Sequence, residues 1–266
     1  MTSGSRTRDK NLFMCINGGQ VSPGARLGRL CKKLLPGAAS ATRTDKLFAA
    51  VGEAPYGGGV LDRPCIVCAA PLESGGLADA IVGVGKVAAA MHTTQLLLTR
   101  RPSWLLLIGV CGAYPRGGLD VGALCVVGEE LLADEGVAQA DGEFIDIARM
   151  GLGTIGPFAG DPERTRALAE VLTIPVVRGA TVSSCSGHDP LAGAIEARSG
   201  AAVESMEGAA VFQVCAQLGV PAVQLRCVSN RTGDRARGGW DLRGAVDRLH
   251  AAVHTLASRY AWGQAT

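Results

Sequence analysis

No apolar run in this sequence reaches the roughly 18 residues of a membrane-spanning helix. The first apolar stretch, "LFMCI", also falls short of a signal-peptide core of about 7–15 residues. A cytoplasmic protein is therefore expected. An excess of charge of one sign is missing too. The 26 Lys and Arg residues nearly balance 24 Asp and Glu, which leaves no electrostatic case for nucleic acid. Metal-ligand patterns are also lacking. Nine cysteines make an odd count for a secreted disulfide framework. Cys111, Cys125, Cys215 and Cys227 lie inside apolar runs, where a thiol behaves as a small hydrophobe. Cys65 and Cys68 form one C-x-x-C without the second ligand pair that zinc needs. His92, His188, His250 and His254 form no ligand motif. His250 and His254 share a helical face at i, i+4 without an H-E-x-x-H, and read as a surface pair on the last helix. No metal and no cofactor are expected.

What is present is a Gly- and Ala-rich chain of 266 residues, long enough for one large domain or two small ones and for a substantial core. No fixed-period repeat is visible. Residues 1–10 read as a mobile tail and 11–266 as a single domain, with 36–62 as an insertion or loop. "NLFMCI" reads as a first strand and "ARLGRLCKKLL" as a helix. "RPCIVCAAPLESGGLADAIVGVG" reads as a strand, a Gly-rich turn and a second strand. "KVAAAMHTTQLLLTR" is helical, and the continuous apolar run Trp104–Val110 suits a parallel strand covered on both faces. Strands "GALCVVGEELL", "PVVRGATVSSCSG" and "PAVQLRCVSN" alternate with helices "DPERTRALAEVL", the run from Met206, and "DLRGAVDRLHAAVHTLASRY". The alternation implies an α/β fold with a central, mainly parallel mixed sheet flanked by helices. Ligands of such sheets sit beyond the carboxyl ends of the strands, which points to Gly85, to Val110–Gly112 and to Ser229–Asn230.

Three places there carry chemistry. "VGVGKVAAA", Val82–Ala90, is a strand-to-helix turn that lacks the full G-x-G-x-x-G spacing. It indicates close backbone approach or simply tight packing. Asn230 closes an apolar strand. It is either a turn residue or an amide that can donate and accept at a nucleobase edge. In "VESMEGAAVFQVC", Glu204 and Glu207 stand against an apolar run. Glu207 suits the positive end of a helix, yet a carboxylate is costly to bury without a partner.

Together, "GVGKVAAA", "IGVCGA" and "VESMEGAAVFQVCAQLGVPAVQLRCVSN" resemble the purine nucleoside phosphorylase and nucleosidase superfamily. "ESMEGAA", "LLADEGV" and "VSN…GDR…WDLRGA" resemble most its futalosine hydrolases, enzymes of menaquinone biosynthesis. The resemblance covers roughly residues 80–257 and, more loosely, 11–35. It implies a nucleoside phosphorylase-like fold and hydrolysis of a purine N-glycosidic bond, releasing hypoxanthine and dehypoxanthine futalosine. It assigns the ribose hydroxyls to Glu207, the underside of the sugar to Met206, and the turn beside the nucleoside to Cys111 and Gly112. It assigns Arg226 to the neighbourhood of the base and Gly85 to the binding turn. Asn230 takes the place of the aspartate of adenine-specific members, which suits a 6-oxopurine. The substrate is thus a small purine nucleoside, with no nucleic-acid or membrane partner. A homo-oligomer is implied, with "LLADEGV", Leu131–Val137, as the contact segment.

Phosphorylases of the superfamily hold phosphate with Arg and Ser where this chain has Leu107 and Val110. Without charge-assisted partners phosphate is poorly held, so water is the expected nucleophile. The family's general base is a glutamate after the first strand. Here the choices are Gln20, Glu73 or none, and counting back from Lys86 puts Glu73 on a hairpin turn. Gln can orient water but cannot take its proton. The alternatives to a hydrolase are a phosphorylase and a non-catalytic nucleoside-binding relative. Arg231, Arg235 and Arg237 are cations near the site that could meet the benzoate-bearing tail of futalosine.

Overall fold

The structure, a computed structural model, describes residues 61–263 apart from 235, 237 and 238. The expected tail, the strand "NLFMCI", the helix "ARLGRLCKKLL" and Gln20 all lie outside the described residues. The chain divides into units 1–43 and 44–266, and every described residue belongs to the second.

The described elements begin with strand β1 (Cys65–Cys68), a one-turn helix α1 (Pro71–Ser74), β2 (Ala80–Ile81), helix α2 (Lys86–Arg100) and β3 (Leu105–Ala113). Then come β4 (Leu124–Leu132), the small hairpin β5 (Gly136–Ala138) and β6 (Phe144–Asp146), β7 (Phe158–Ala159) and α3 (Pro162–Leu172). The chain continues through β8 (Val176–Thr181), α4 (Asp189–Ser199), β9 (Val203–Ser205), α5 (Gly208–Gln217), β10 (Ala222–Arg231) and α6 (Leu242–Arg259).

The sheet is mixed and mainly parallel, as expected, but it also closes on itself. Its order is β10-β4-β8-β9-β3-β1-β2, and β10 pairs β3 as well. Five strands therefore form a barrel-like ring, with β1 and β2 extending from β3. The ring joins two parallel groups, β3 with β10 and β4 with β8 and β9, through antiparallel β10–β4 and β3–β9 junctions. Closure was not legible from strand order, because it depends on pairings between strands far apart in sequence.

Strand β3 is the common member. Its full length pairs with β10. On its other edge β1 pairs Leu105–Ile108, and β9 pairs Gly112 and Ala113. Between them, Gly109–Cys111 meet no strand among the described residues on that edge. Alternation along β3 supplies both cores. Leu106 and Ile108 pack with α6 residues Leu249, Val253 and Leu256. Leu105 and Leu107 pack with α2 and α5 residues Leu96, Leu97, Val211 and Phe212. This double burial explains the unbroken apolar run. Cys65 and Cys68 of the C-x-x-C fall in different cores, on opposite sheet faces. Burial pushes their thiols up to about 11 and about 12. No group of three or more metal-ligating side chains occurs among the described residues.

Helix ends follow local chemistry. Asp161 caps α3 by accepting from the Arg164 N–H, with Pro162 in the first turn. Asp241 accepts from the Gly244 N–H at the start of α6. No described helix is long and apolar enough to cross a membrane.

Candidate active site

A cavity of about 230 Å³ opens at the unpaired stretch of β3. Glu73, Val110, Cys111, Gly112, Glu204, Met206, Glu207, Ser229 and Asn230 line it, with Leu72, Val84, Trp240 and Leu242 at an exposed apolar rim. The structure thus brings Glu207, Asn230, Met206, Cys111 and Gly112 together around one cavity. Two expected residues take other places. Gly85 does not line the cavity, and its N–H donates to Glu207 Oε1 at 2.9 Å. Arg226 lies behind the cavity wall, only 1% exposed, against Glu207 rather than beside Asn230.

Glu207 stands at the N-cap of α5 but makes no side-chain cap bond. Its carboxylate turns away from its own helix, to Gly85 and to Arg226 Nη2 at 3.9 Å. The dipole reading of this residue is therefore incomplete. Burial raises the Glu207 pKa, and the Arg226 guanidinium opposes that rise.

Glu73 is the residue that counting misplaced. It belongs to α1, one turn after β1, not to a hairpin. The twelve residues to Gly85 suffice because only the two-residue β2 intervenes. The turn begins at Pro71, which pre-sets helical φ. Glu73 Oε2 accepts from the N–H groups of Ala69 and Ala70, at 3.1 and 3.0 Å. Its Oε1 accepts from the Val110 N–H at 2.9 Å, filling part of the open edge of β3. Gly109 makes this approach possible, since a Cβ there would collide with the Arg226 guanidinium and Glu73 Oε1. His250 Nε2 donates to the Glu73 carbonyl at 2.8 Å. His250 is thus a half-buried brace for α1, not half of a surface pair; His254 is exposed.

Asn230 lies where the β10–β3 register slips by one residue, with Val228 opposite Cys111 and Asn230 opposite Gly112. The slip lets both Ser229 and Asn230 line the cavity. Asn230 Oδ1 accepts from Ser229 Oγ at 2.9 Å, and Nδ2 donates to the Arg231 carbonyl at 3.1 Å. One amide hydrogen and one acceptor position remain for a ligand. Glu204, which had no role from sequence, ties down the loop between β8 and α4. It accepts from the Ser186 N–H, from Ser186 Oγ and from the Tyr114 hydroxyl, at 2.9, 2.6 and 2.9 Å. Cys111 is held well above the ordinary thiol range by its bond with the Cys125 thiol and by burial, so it is no nucleophile.

Among the described residues lining the cavity none is basic. Leu107 is core, and Val110 presents hydrocarbon while its N–H and carbonyl are engaged by Glu73 and Arg226. Arg231 pairs with Asp120 instead of facing the cavity, and Arg235 and Arg237 lie outside the described residues. In "LLADEGV", Asp134 and Glu135 are taken by Lys86 of the same chain.

The phosphorylase superfamily model matches residues 63–259. Futalosine hydrolase of Thermus thermophilus is 36% identical over 177 residues, covering 65% of this chain and 78% of that protein. Futalosine hydrolase of Acidothermus cellulolyticus is 36% identical over 187 residues, covering 68% and 75%. Among solved structures, a futalosine hydrolase mutant of Helicobacter pylori superposes with a TM-score of 0.62 at 19% identity, covering 73% of this chain and 97% of that one. The methylthioadenosine/S-adenosylhomocysteine nucleosidase of Colwellia psychrerythraea, in complex with adenine, gives 0.62 at 20% identity, covering 73% and 94%. These structures agree in fold, and the sequence matches carry the kinship: the chain belongs to the phosphorylase superfamily and, within it, to the futalosine hydrolases.

Proposed function

We propose that this chain hydrolyses the N-glycosidic bond of futalosine, or of a closely similar 6-oxopurine nucleoside, and releases hypoxanthine. One observation carries the reading: of the three buried carboxylates that line the cavity, Glu204 is committed to Ser186 and Tyr114, while Glu73 and Glu207 keep open acceptor positions beside the Asn230 amide. Bond cleavage builds positive charge on the ribosyl ring and negative charge on the departing base. Glu207, with acceptor positions left on both oxygens, grips the ribose hydroxyls and stabilises the ring charge. Asn230 pairs with the oxo group and ring nitrogen of the base through its remaining donor and acceptor.

Glu73 is the base for water. Oε2 is saturated by two backbone donors, while Oε1 has taken one and keeps an acceptor position. That oxygen can receive a proton from water as the new C–O bond forms. Water rather than phosphate is favoured because the described lining offers an anion no charged partner. The test is hypoxanthine release from futalosine by the full-length chain, with and without phosphate. Many turnovers without phosphate are expected. A strict phosphate requirement would establish phosphorolysis, and release of no more than one equivalent would establish a binding protein.

The same reading includes a homo-oligomer. Its support is the apolar side of α2, where Val87, Met91 and Leu98 are exposed. Sedimentation of the full-length chain tests it, and a monomer at micromolar concentration would remove it.

A further inference from the structure

Behind the cavity lies a buried carboxylate that touches none of the cavity's lining residues by hydrogen bond. Glu130 of β4 is 1% exposed and does not line the cavity. Its Oε1 accepts from Gln224 Nε2 at 2.7 Å, and its Oε2 accepts from the Thr181 hydroxyl at 2.9 Å. Each donor leads on toward Glu207. Gln224 Oε1 accepts from Arg226 Nε at 2.8 Å, and Arg226 Nη1 donates to the Val110 carbonyl at 3.2 Å. Arg226 Nη2 has no hydrogen-bond partner and lies 3.9 Å from Glu207 Oε2. On the other side, the Thr181 oxygen accepts from the N–H of Ala209 at 2.7 Å. Ala209 is in the first turn of α5, the helix that Glu207 precedes.

Above about pH 7, where Glu130 is ionised, its carboxylate only accepts. Gln224 must therefore turn its NH₂ toward Glu130, which leaves its carbonyl oxygen for Arg226. Thr181 must spend its one proton on Glu130, which leaves a lone pair for Ala209. The polarity of both chains is thus set by one group. The backbone is shaped around it: a Cβ on Gly208 or Gly179 would collide with Glu130 Oε1. The charged and titratable neighbours are Arg226, Glu207 and Cys111.

We propose that Glu130 is a positioning residue for the Glu207 carboxylate, acting through Gln224 and Arg226 on one side and through Thr181 and the first turn of α5 on the other. The inference rests on the reading of Glu207 as the ribose-binding group. Glu130→Gln keeps the shape but replaces one acceptor by a donor, which sets it against Gln224 or Thr181.

The test is a double-mutant cycle on the full-length chain at about pH 8, where Glu130 is ionised, with kcat, KM and thermal midpoint measured for Glu130→Gln, Glu207→Gln and the pair. Glu130→Gln alone is expected to lose about tenfold or more in kcat/KM, mostly in kcat. In the Glu207→Gln background the same change is expected to alter the residual rate by less than about twofold, since groups acting in series are non-additive. Equal losses in both backgrounds would reveal a general structural role and overturn the inference. Thr181→Val severs one arm alone and runs through the same cycle. It decides the matter should Glu130→Gln not fold, and wild-type kinetics in it would overturn the inference. Wild-type rates in Glu207→Gln would overturn the ribose assignment itself, and this inference with it.

Discussion

At Glu73 three backbone N–H groups hold the carboxylate and one oxygen remains open to the cavity. Glu73→Gln should keep most of these contacts while removing basicity. We expect kcat to fall by about 10²–10³, within the range for a positioned general base, with nucleoside binding nearly unchanged. Single-turnover rates and equilibrium binding measure the two separately. A rate within a few-fold of wild type would remove Glu73 as the base. Asn230→Asp should shift selectivity toward adenine nucleosides, read as the ratio of adenine release from methylthioadenosine to hypoxanthine release from futalosine. An unchanged ratio would detach base choice from this position. Glu207, Met206, Cys111, Gly112 and Asn230 were legible because they stand in contiguous motifs. Glu73 was ambiguous because a one-turn helix leaves no periodic signal, so the short spacing to Lys86 read as a hairpin. Glu130 and Gln224 were not legible at all, since a polar residue inside a strand shows nothing of what it meets across the barrel.

Among elements, the long ones were legible and the short ones were not. Helix α2 covers the predicted run from Lys86 to Arg100, because Ala89, Thr93, Leu96 and Leu97 repeat at helical spacing on its buried side. Helix α4 was missed. Its buried residues are Ala192, Ile195, Glu196 and Ser199, so half its inward face is polar and no apolar stripe marks it. The smallest helix, α1, matters most for the site, and one turn cannot hold itself together. His250 reaches from α6 to its carbonyl and supplies tertiary support. His250→Ala should therefore loosen α1 and lower kcat about tenfold, with a smaller change in thermal midpoint than in rate. Loss of stability in proportion to rate would make His250 an ordinary packing residue.

For the whole molecule, the buried acids make stability depend on pH. Burial pushes Glu130 up to about 7 from an ordinary 4.5, with Gln224, Arg226 and Thr181 opposing. Between those values the folded state binds more protons than the unfolded one, so this group's stabilisation is fully present below about 4.5 and lost as pH rises to about 7. Its share is at most about 3 kcal/mol. Denaturant titrations at pH 5 and 7.5 should show a stability difference that shrinks in Glu130→Gln. A difference unchanged by the substitution would contradict the assignment. The ring of strands has a last consequence, set by the one-residue slip that places Ser229 and Asn230 side by side. Among the described residues β3 is the one strand paired with β10 beyond Cys227, and the slip takes Ser229 out of that ladder, although Val228 still bonds to Gly122 and Ala123 and the Ser229 carbonyl accepts from the Asp241 N–H. The residues proposed to meet the base thus sit where the strand register is already broken. On the proposed assignment, exchange of the Asn230 side chain alone would alter base preference while leaving the strand pairings of the barrel in place.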